Sequence, residues 1–337
     1  MTRTAGFLAL FAVLILSPFA TAQYHAWRWT PAKGIQDLGD LPNCDFAQAF
    51  AINNSGEVVG TSGKTPGESG FRWTAKAGMQ PLLQGGGMAA AQGVNSSGTI
   101  AGWAIVSGNH QAVYWSAGGA LVQLGSLGIQ EQWSFAYAIN TAGMIVGQTA
   151  VPLTDTGHAF VWTATGGMQD LGTLFGRNAA SSASAVNDNG DIVGWSNNQT
   201  GNTHAVVWKD GEIKDLGTLP NGFTSHALGI NNAGLIVGDS DSGTSHGSPH
   251  AVLWYPDGAI HDLGTGSGGY SFALGINNSS QVTGYYETSH FGFVHPFIWT
   301  QAGGIQDLGV LKGFPNGFGS AINDAGVVAG ISLPQGP

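Results

Sequence analysis

Side chains able to move protons or hold metal ions are scarce in this chain, and His and carboxylates outside the repeated pattern concentrate in one stretch. His226, Asp239, Asp241, His246, Glu287 and His290 lie there together. Paired carboxylates suit acid–base work on a glycosidic bond, and His beside a carboxylate suits proton abstraction or metal binding. Asp239-Ser240-Asp241-Ser242-Gly243 alternates oxygen donors like the start of a calcium loop but lacks the distal Glu. Asp239 and Asp241 are therefore the candidate metal ligands, with calcium the candidate ion. Gly85-Gly86-Gly87 is followed by no helix that would cradle a phosphate, and the single cysteine, Cys44, has no partner in sequence that would activate it.

A second set of residues is suited to binding. Trp103, Trp133, Trp195, Tyr270, Tyr285, Tyr286, Phe223, Phe291 and Phe314 fall in segments that vary along the chain. Aromatic rings set among Asn and acidic groups suit sugars, whose carbon-bound hydrogens pack on a ring while their hydroxyls meet polar side chains. The ligand-binding candidates are Trp103, Trp195, Tyr285, Tyr286, Trp133, Tyr270, Glu287 and His226, and the expected partner is a carbohydrate or another extracellular protein. Any one ring has a structural alternative, as a plug between repeats, and that is expected for more than half of them. Binding is the first expectation for this chain; a propeller enzyme of glycoside hydrolase or lyase type, using the His and carboxylate patch, and a structural scaffold at the cell surface are the alternatives.

The elements that must position these residues follow from a repeat. Trp29, Trp73, Trp115, Trp162, Trp208, Trp254 and Trp299 recur at intervals of 42 to 47 residues. Each closes a block such as His158-Ala159-Phe160-Val161-Trp162. A block like Gln169-Asp170-Leu171-Gly172 follows, then one like Ala185-Val186-Asn187-Asp188-Asn189-Gly190-Asp191-Ile192-Val193-Gly194, whose Asn recurs at 53, 95, 140, 231, 277 and 323. A period near 45 with short β-branched and aromatic runs between Gly and Asn turns predicts four short strands per unit. The turn at Asn53-Asn54-Ser55-Gly56 predicts a tight hairpin with positive φ at the Gly, a position taken by Ser280 in the sixth copy.

Both faces of these strands are apolar, so each sheet must lie between others of its kind, as in a closed seven-bladed β-propeller. The chain starts on the last two strands of a unit and stops after the first two of another. The predicted closure pairs the C-terminal strands with the N-terminal ones in one blade, leaving no long free edge. The connections that vary in length all emerge at one end of the ring, which makes that end the expected binding face.

The repeated polar residues are expected to brace the fold. His25, His158, His204, His250 and His295 sit four residues before the Trp, too far apart on separate blades to share an ion. Each is expected to bond polar backbone or the nearby Asp of its own blade, namely Asp37, Asp170, Asp215, Asp262 or Asp307.

The blocks His-Ala-Phe-Val-Trp, Asp-Leu-Gly and Ala-Ile-Asn-Asn-x-Gly-x-Val-x-Gly resemble those of the HAF repeat family of probable extracellular bacterial proteins. The resemblance spans residues 23–337 and implies export and a repeat fold, without implying an activity.

Compartment and partners are bounded by composition. Arg3, the apolar run 6–16 and Ala20-Thr21-Ala22 predict a signal peptide over residues 1–22, with residues 23–337 forming the single propeller domain. No run reaches the ~20 apolar residues of a membrane-spanning helix. Only 30 of 337 residues are charged, and the net charge of -10 argues against nucleic acid or an anionic membrane as partner. A secreted monomer is expected, extracellular or periplasmic.

Overall fold

Short runs of Val, Ile, Ala and aromatic residues, cut every few positions by Gly or Asn, cannot sustain a helix and instead form strands of three to eight residues. A computed structural model of the chain describes residues 24–64, 67–82, 88–128, 133–152, 154, 156–243, 248–266, 268–289 and 292–334. The expected signal peptide, His246, His290 and Phe291 lie outside these residues. The strands form seven antiparallel four-stranded sheets. Their innermost strands are Phe46–Ile52, Ala89–Val94, Ser134–Ile139, Ser181–Val186, Ser225–Ile230, Ser271–Ile276 and Asn316–Ile322, which we use to number blades one to seven. These seven strands contact one another in a closed circle. The molecule is the seven-bladed β-propeller that the repeat predicts.

Closure takes the expected form. Blade seven is ordered Asn316–Ile322, Val328–Leu333, His25–Thr30, Gly34–Asp37, with His25 opposite Ser332 and Trp29 opposite Val328. Apolar residues of neighbouring blades fill the space between sheets; Trp27, Trp115, Trp254, Phe71, Phe160 and Phe297 are fully buried there.

The seven recurrent Asn residues, expected to form turns and brace the blades, also form a second closure that links each blade to the next. Each side-chain Nδ2 donates to the backbone carbonyl of the corresponding Asn in the next blade at 2.9–3.2 Å, from Asn53 to Asn95 round to Asn323 and back to Asn53. The Asn53 Oδ1 meanwhile accepts the N–H groups of Ser55 and Glu57, so one side chain shapes its own turn and ties it to its neighbour. In that turn six copies use Gly with φ between 73° and 88°, and Ser280 holds the same left-handed region at φ 60°.

The expected His–Asp pairs also form. Nδ1 of His25, His158, His204, His250 and His295 lies 2.7–3.0 Å from Asp37, Asp170, Asp215, Asp262 and Asp307. The same Asp accepts the N–H of the Gly two residues on, so the pair fastens the outer strand and the turn that leaves it.

Candidate functional site

A β-bulge in every innermost strand builds the site. Pairing with the second strand skips one residue, for example between Ala136 and Ala138, and the skipped residues are Phe50, Gln92, Tyr137, Ser184, Leu228, Leu274 and Ser320. A bulge kinks the strand and re-aims the extra side chain. All seven line one cavity of about 310 Å³ on the axis of the ring. The bulge also explains the repeated Gly of the second strand: a Cβ on Gly147 would collide with the carbonyl oxygen of Phe135, and Gly60, Gly102, Gly194, Gly238, Gly284 and Gly330 meet equivalent carbonyls.

The floor of this cavity is set by the last residue of each innermost strand. Ile52, Val94, Ile139, Val186, Ile230, Ile276 and Ile322 form an aliphatic ring. Beyond it lies a second, smaller hollow of about 180 Å³ lined by the Asn circle, and Ile230, Ile276 and Ile322 line both spaces. The larger cavity therefore lies on the side from which the variable connections emerge.

Its wall on that side comes from second-strand residues just past the Gly. Gln148, Trp195 and Asp239 line it, together with Ser182, His226 and Phe272. His226 and Asp239 face each other across neighbouring strands with Nδ1 and Oδ2 3.0 Å apart, and both are 3% exposed. No other blade has this pair at these positions; blade four has Ser182 and Trp195, blade six Phe272 and Tyr285. Gln148 fixes the adjoining wall by donating to the Ser181 carbonyl at 3.0 Å. Burial pushes the Tyr137 phenol far above its ordinary range, so it faces the cavity as a neutral hydroxyl.

The structure redistributes the residues singled out from sequence. Among the described residues, only Trp195, His226 and Asp239 of that set reach the cavity. Trp103, Trp195, Tyr285, Tyr286 and Glu287 were expected in variable loops but lie in second strands, Ile100–Val106, Ile192–Asn197 and Val282–Glu287. The reason is that pairing with the third strand continues past the Gly, as in Trp103 opposite Ala112 and Tyr285 opposite Pro296. Trp103 packs 5.9 Å from Phe135 of the next blade, beside His110 and with Trp133 on the far side of Phe135. Tyr285 stacks 4.9 Å from Phe272 and reaches Phe318 of blade seven, and Tyr270 joins this group at its edge. These rings are plugs between blades. Tyr286 donates to Asp307, and burial with that carboxylate beside it pushes its phenol up to about 12.

The acidic candidates are engaged in the same way. Asp241 and Glu287 occupy equivalent positions at the ends of second strands. Asp241 accepts the N–H groups of Phe223 and Thr224, and Glu287 accepts that of Gly269 at 2.6 Å. Each thereby clamps the connection entering its own blade. The segment Asp239–Asp241 is strand and not loop, and among the described residues no group of three or more His, Cys, Asp or Glu is placed to hold a metal ion. What pattern reading missed is the set of seven bulge residues. Their signal in the sequence is a varying position flanked on each side by Ala or Gly in all seven copies.

With this geometry in view, the chain can be set beside known proteins. No family model and no curated protein matches it. Solved structures do. The chain superposes on virginiamycin B lyase from Staphylococcus aureus with TM-score 0.56 and 10% identity, over 92% of this chain and all of that one. A puromycin hydrolase gives TM-score 0.62 and 13% identity over 87% of this chain and 51% of that one. TolB from Acinetobacter baumannii gives TM-score 0.51 and 10% identity over 86% of this chain, which spans 63% of the TolB chain. At such identity the likeness shows the propeller fold alone. Two of these neighbours carry enzyme names and TolB does not, and the shared fold does not assign an activity.

Proposed function

We propose that this chain is an exported binding module that seats a small molecule in the cavity on the propeller axis. The observation that carries this reading is the variation at the bulge. The repeat fixes the backbone there seven times, yet places Phe, Gln, Tyr, Ser, Leu, Leu and Ser in one ring around the void. Residues that only packed the blades would repeat as their neighbours do. The lining combines flat apolar surface with a few convergent polar groups, the usual make-up of a ligand site, and about 300 Å³ is the lower end of the range for such sites. A sugar fits this description, with Trp195, Tyr137 and Phe50 offering faces and Gln92, Ser184 and Ser320 offering hydrogen-bond partners.

A thermal-shift screen of sugars and small metabolites tests the site. Ligands that raise the melting temperature are expected to lose that effect in Trp195→Ala and Tyr137→Ala and to keep it in Phe223→Ala, a ring 65% exposed on the connection into blade five. Loss on Phe223→Ala with retention in the cavity variants would move the site to the rim.

A second reading rests on the His226–Asp239 pair. A His oriented by a buried carboxylate at a cavity wall is the arrangement of a general base, so turnover of a bound molecule follows naturally from the same site. It predicts that any hydrolytic or lyase activity disappears in His226→Gln while binding persists.

A further inference from the structure

We propose that the axial cavity is selective for a small organic cation, a protonated or quaternary amine. This rests on the cavity being the ligand site and adds the chemical class of its occupant.

Charge is the first ground. Of the residues lining the cavity, only Asp239, His226 and Tyr137 are ionisable, and among the described residues no Lys or Arg reaches it. Asp239 is an acidic side chain with 3% exposure, and among the described residues it is met by the imidazole of His226. An anionic ligand entering this space would leave water without meeting a fixed positive charge, which is strongly unfavourable. A cation would instead meet the carboxylate.

The second ground is the distribution of rings. Phe50, Tyr137, Trp195 and Phe272 come from blades one, three, four and six, so aromatic surface surrounds the void on several sides and does not form a single platform. One ring is enough to stack on a sugar. Rings on several sides around a carboxylate match the way aromatic cages hold ammonium groups, through attraction between the charge and the negative ring faces. A neutral sugar would use the rings but leave the carboxylate with nothing of opposite charge.

The third ground lies outside the cavity. The chain carries a net charge of -10, and the smaller hollow beyond the aliphatic ring bears Asp188 and Asp324. Hydrogen bonds from Thr141 and Asn232 to Asp188, and from Asn278 and Asn54 to Asp324, outweigh their partial burial and hold both carboxyls below their ordinary range. The potential around the ring therefore draws cations and repels anions.

Calorimetric titration of the purified chain with four probes decides the matter. The probes are choline, its neutral isostere with carbon in place of the quaternary nitrogen, benzoate, and methyl glucoside. Choline is expected to bind about tenfold or more tightly than the isostere, with no measurable benzoate binding, since only the cation gains from the carboxylate and from the negative ring faces. Asp239→Asn and Phe50→Leu should each weaken choline by about tenfold while leaving the isostere within about twofold. If Asp239→Asn melts far below the parent protein, Phe50→Leu alone supplies this comparison. Equal affinity for choline and the isostere, or tightest binding of methyl glucoside, overturns the cation proposal and leaves the cavity as the site. Absence of binding by all four, with Trp195 fluorescence unchanged, overturns both.

Discussion

Both ring nitrogens of His158 meet acceptors: Nδ1 lies 2.9 Å from Asp170 Oδ2 and Nε2 3.0 Å from the Arg177 carbonyl oxygen. Two acceptors favour the doubly protonated ring. Burial alone would depress its pKa, but the hydrogen bond and charge of Asp170 and the carbonyls of Arg177 and Ala179 outweigh it, and the folded value is raised. The sign follows: the pair's contribution is complete below the ordinary His value near ~6.5 and fades as pH rises through the higher folded value. Asp170 is shifted the other way. Burial, which would raise it, is outweighed by His158 and the Gly172 N–H, so its share is lost as pH falls through its lowered value. Denaturant melts of the parent and His158→Gln should therefore differ more at pH 6 than at pH 9. An equal difference at both values would mean that the ring acts only by packing. His and Asp at this spacing are legible as a within-blade pair because the two types recur five times at a separation of 11 or 12 residues. The His226–Asp239 pair is not, because those residues occur once and only strand register brings them face to face.

At the scale of the element, the hairpin between the first two strands is governed by two demands. Asn53 and its six counterparts need their side chain for both the turn and the next blade, and the residue three positions on needs a left-handed backbone. Ser280 meets the second demand without being Gly, at a cost of the order of 1 kcal/mol. Ser280→Gly should raise unfolding free energy by about that amount, less the greater chain entropy that Gly brings to the unfolded state, in chemical denaturation. A drop in stability would show that the Ser280 side chain makes a compensating contact. The second-strand Gly is a different case. Its φ is ordinary, and its need arises only because a bulge in the neighbouring strand brings a carbonyl against it. That Gly repeats there is visible in the sequence, whereas the opposing carbonyl is set only by the fold. For the same reason Trp103, Trp195 and Tyr285 read from sequence as lying beyond the strand end, whereas the Gly is an interior position facing a bulge and not a terminus.

At the scale of the molecule, closure is distributed. Strand pairing between Val328–Leu333 and His25–Thr30 joins the chain ends, and Asn323 to Asn53 completes the Asn circle at the same junction. A second series of backbone links, from Thr141 to Asp188 and on through Asn232, Asn278 and Asp324 to Asn54, runs round most of the same face. Deleting residues 316–337 removes two strands of blade seven, opens the Asn circle and exposes the faces of blades six and one. The product should be aggregated or unfolded by size-exclusion chromatography and circular dichroism. A soluble truncation with a cooperative melt near that of the full chain would mean that closure contributes little to stability.

The sequence by itself determined the number of blades, the four strands in each, the shared closing blade and the inward bracing by His, Asp and Asn. These follow from local periodicity and turn chemistry repeated seven times, so that each copy corroborates the others. Only the tertiary structure decided which residues face the axis. That choice depends on a one-residue register shift in each innermost strand, and a bulge leaves no distinctive residue type at its own position. The seven variable side chains it turns inward are a ring in space and seven unrelated letters in the chain.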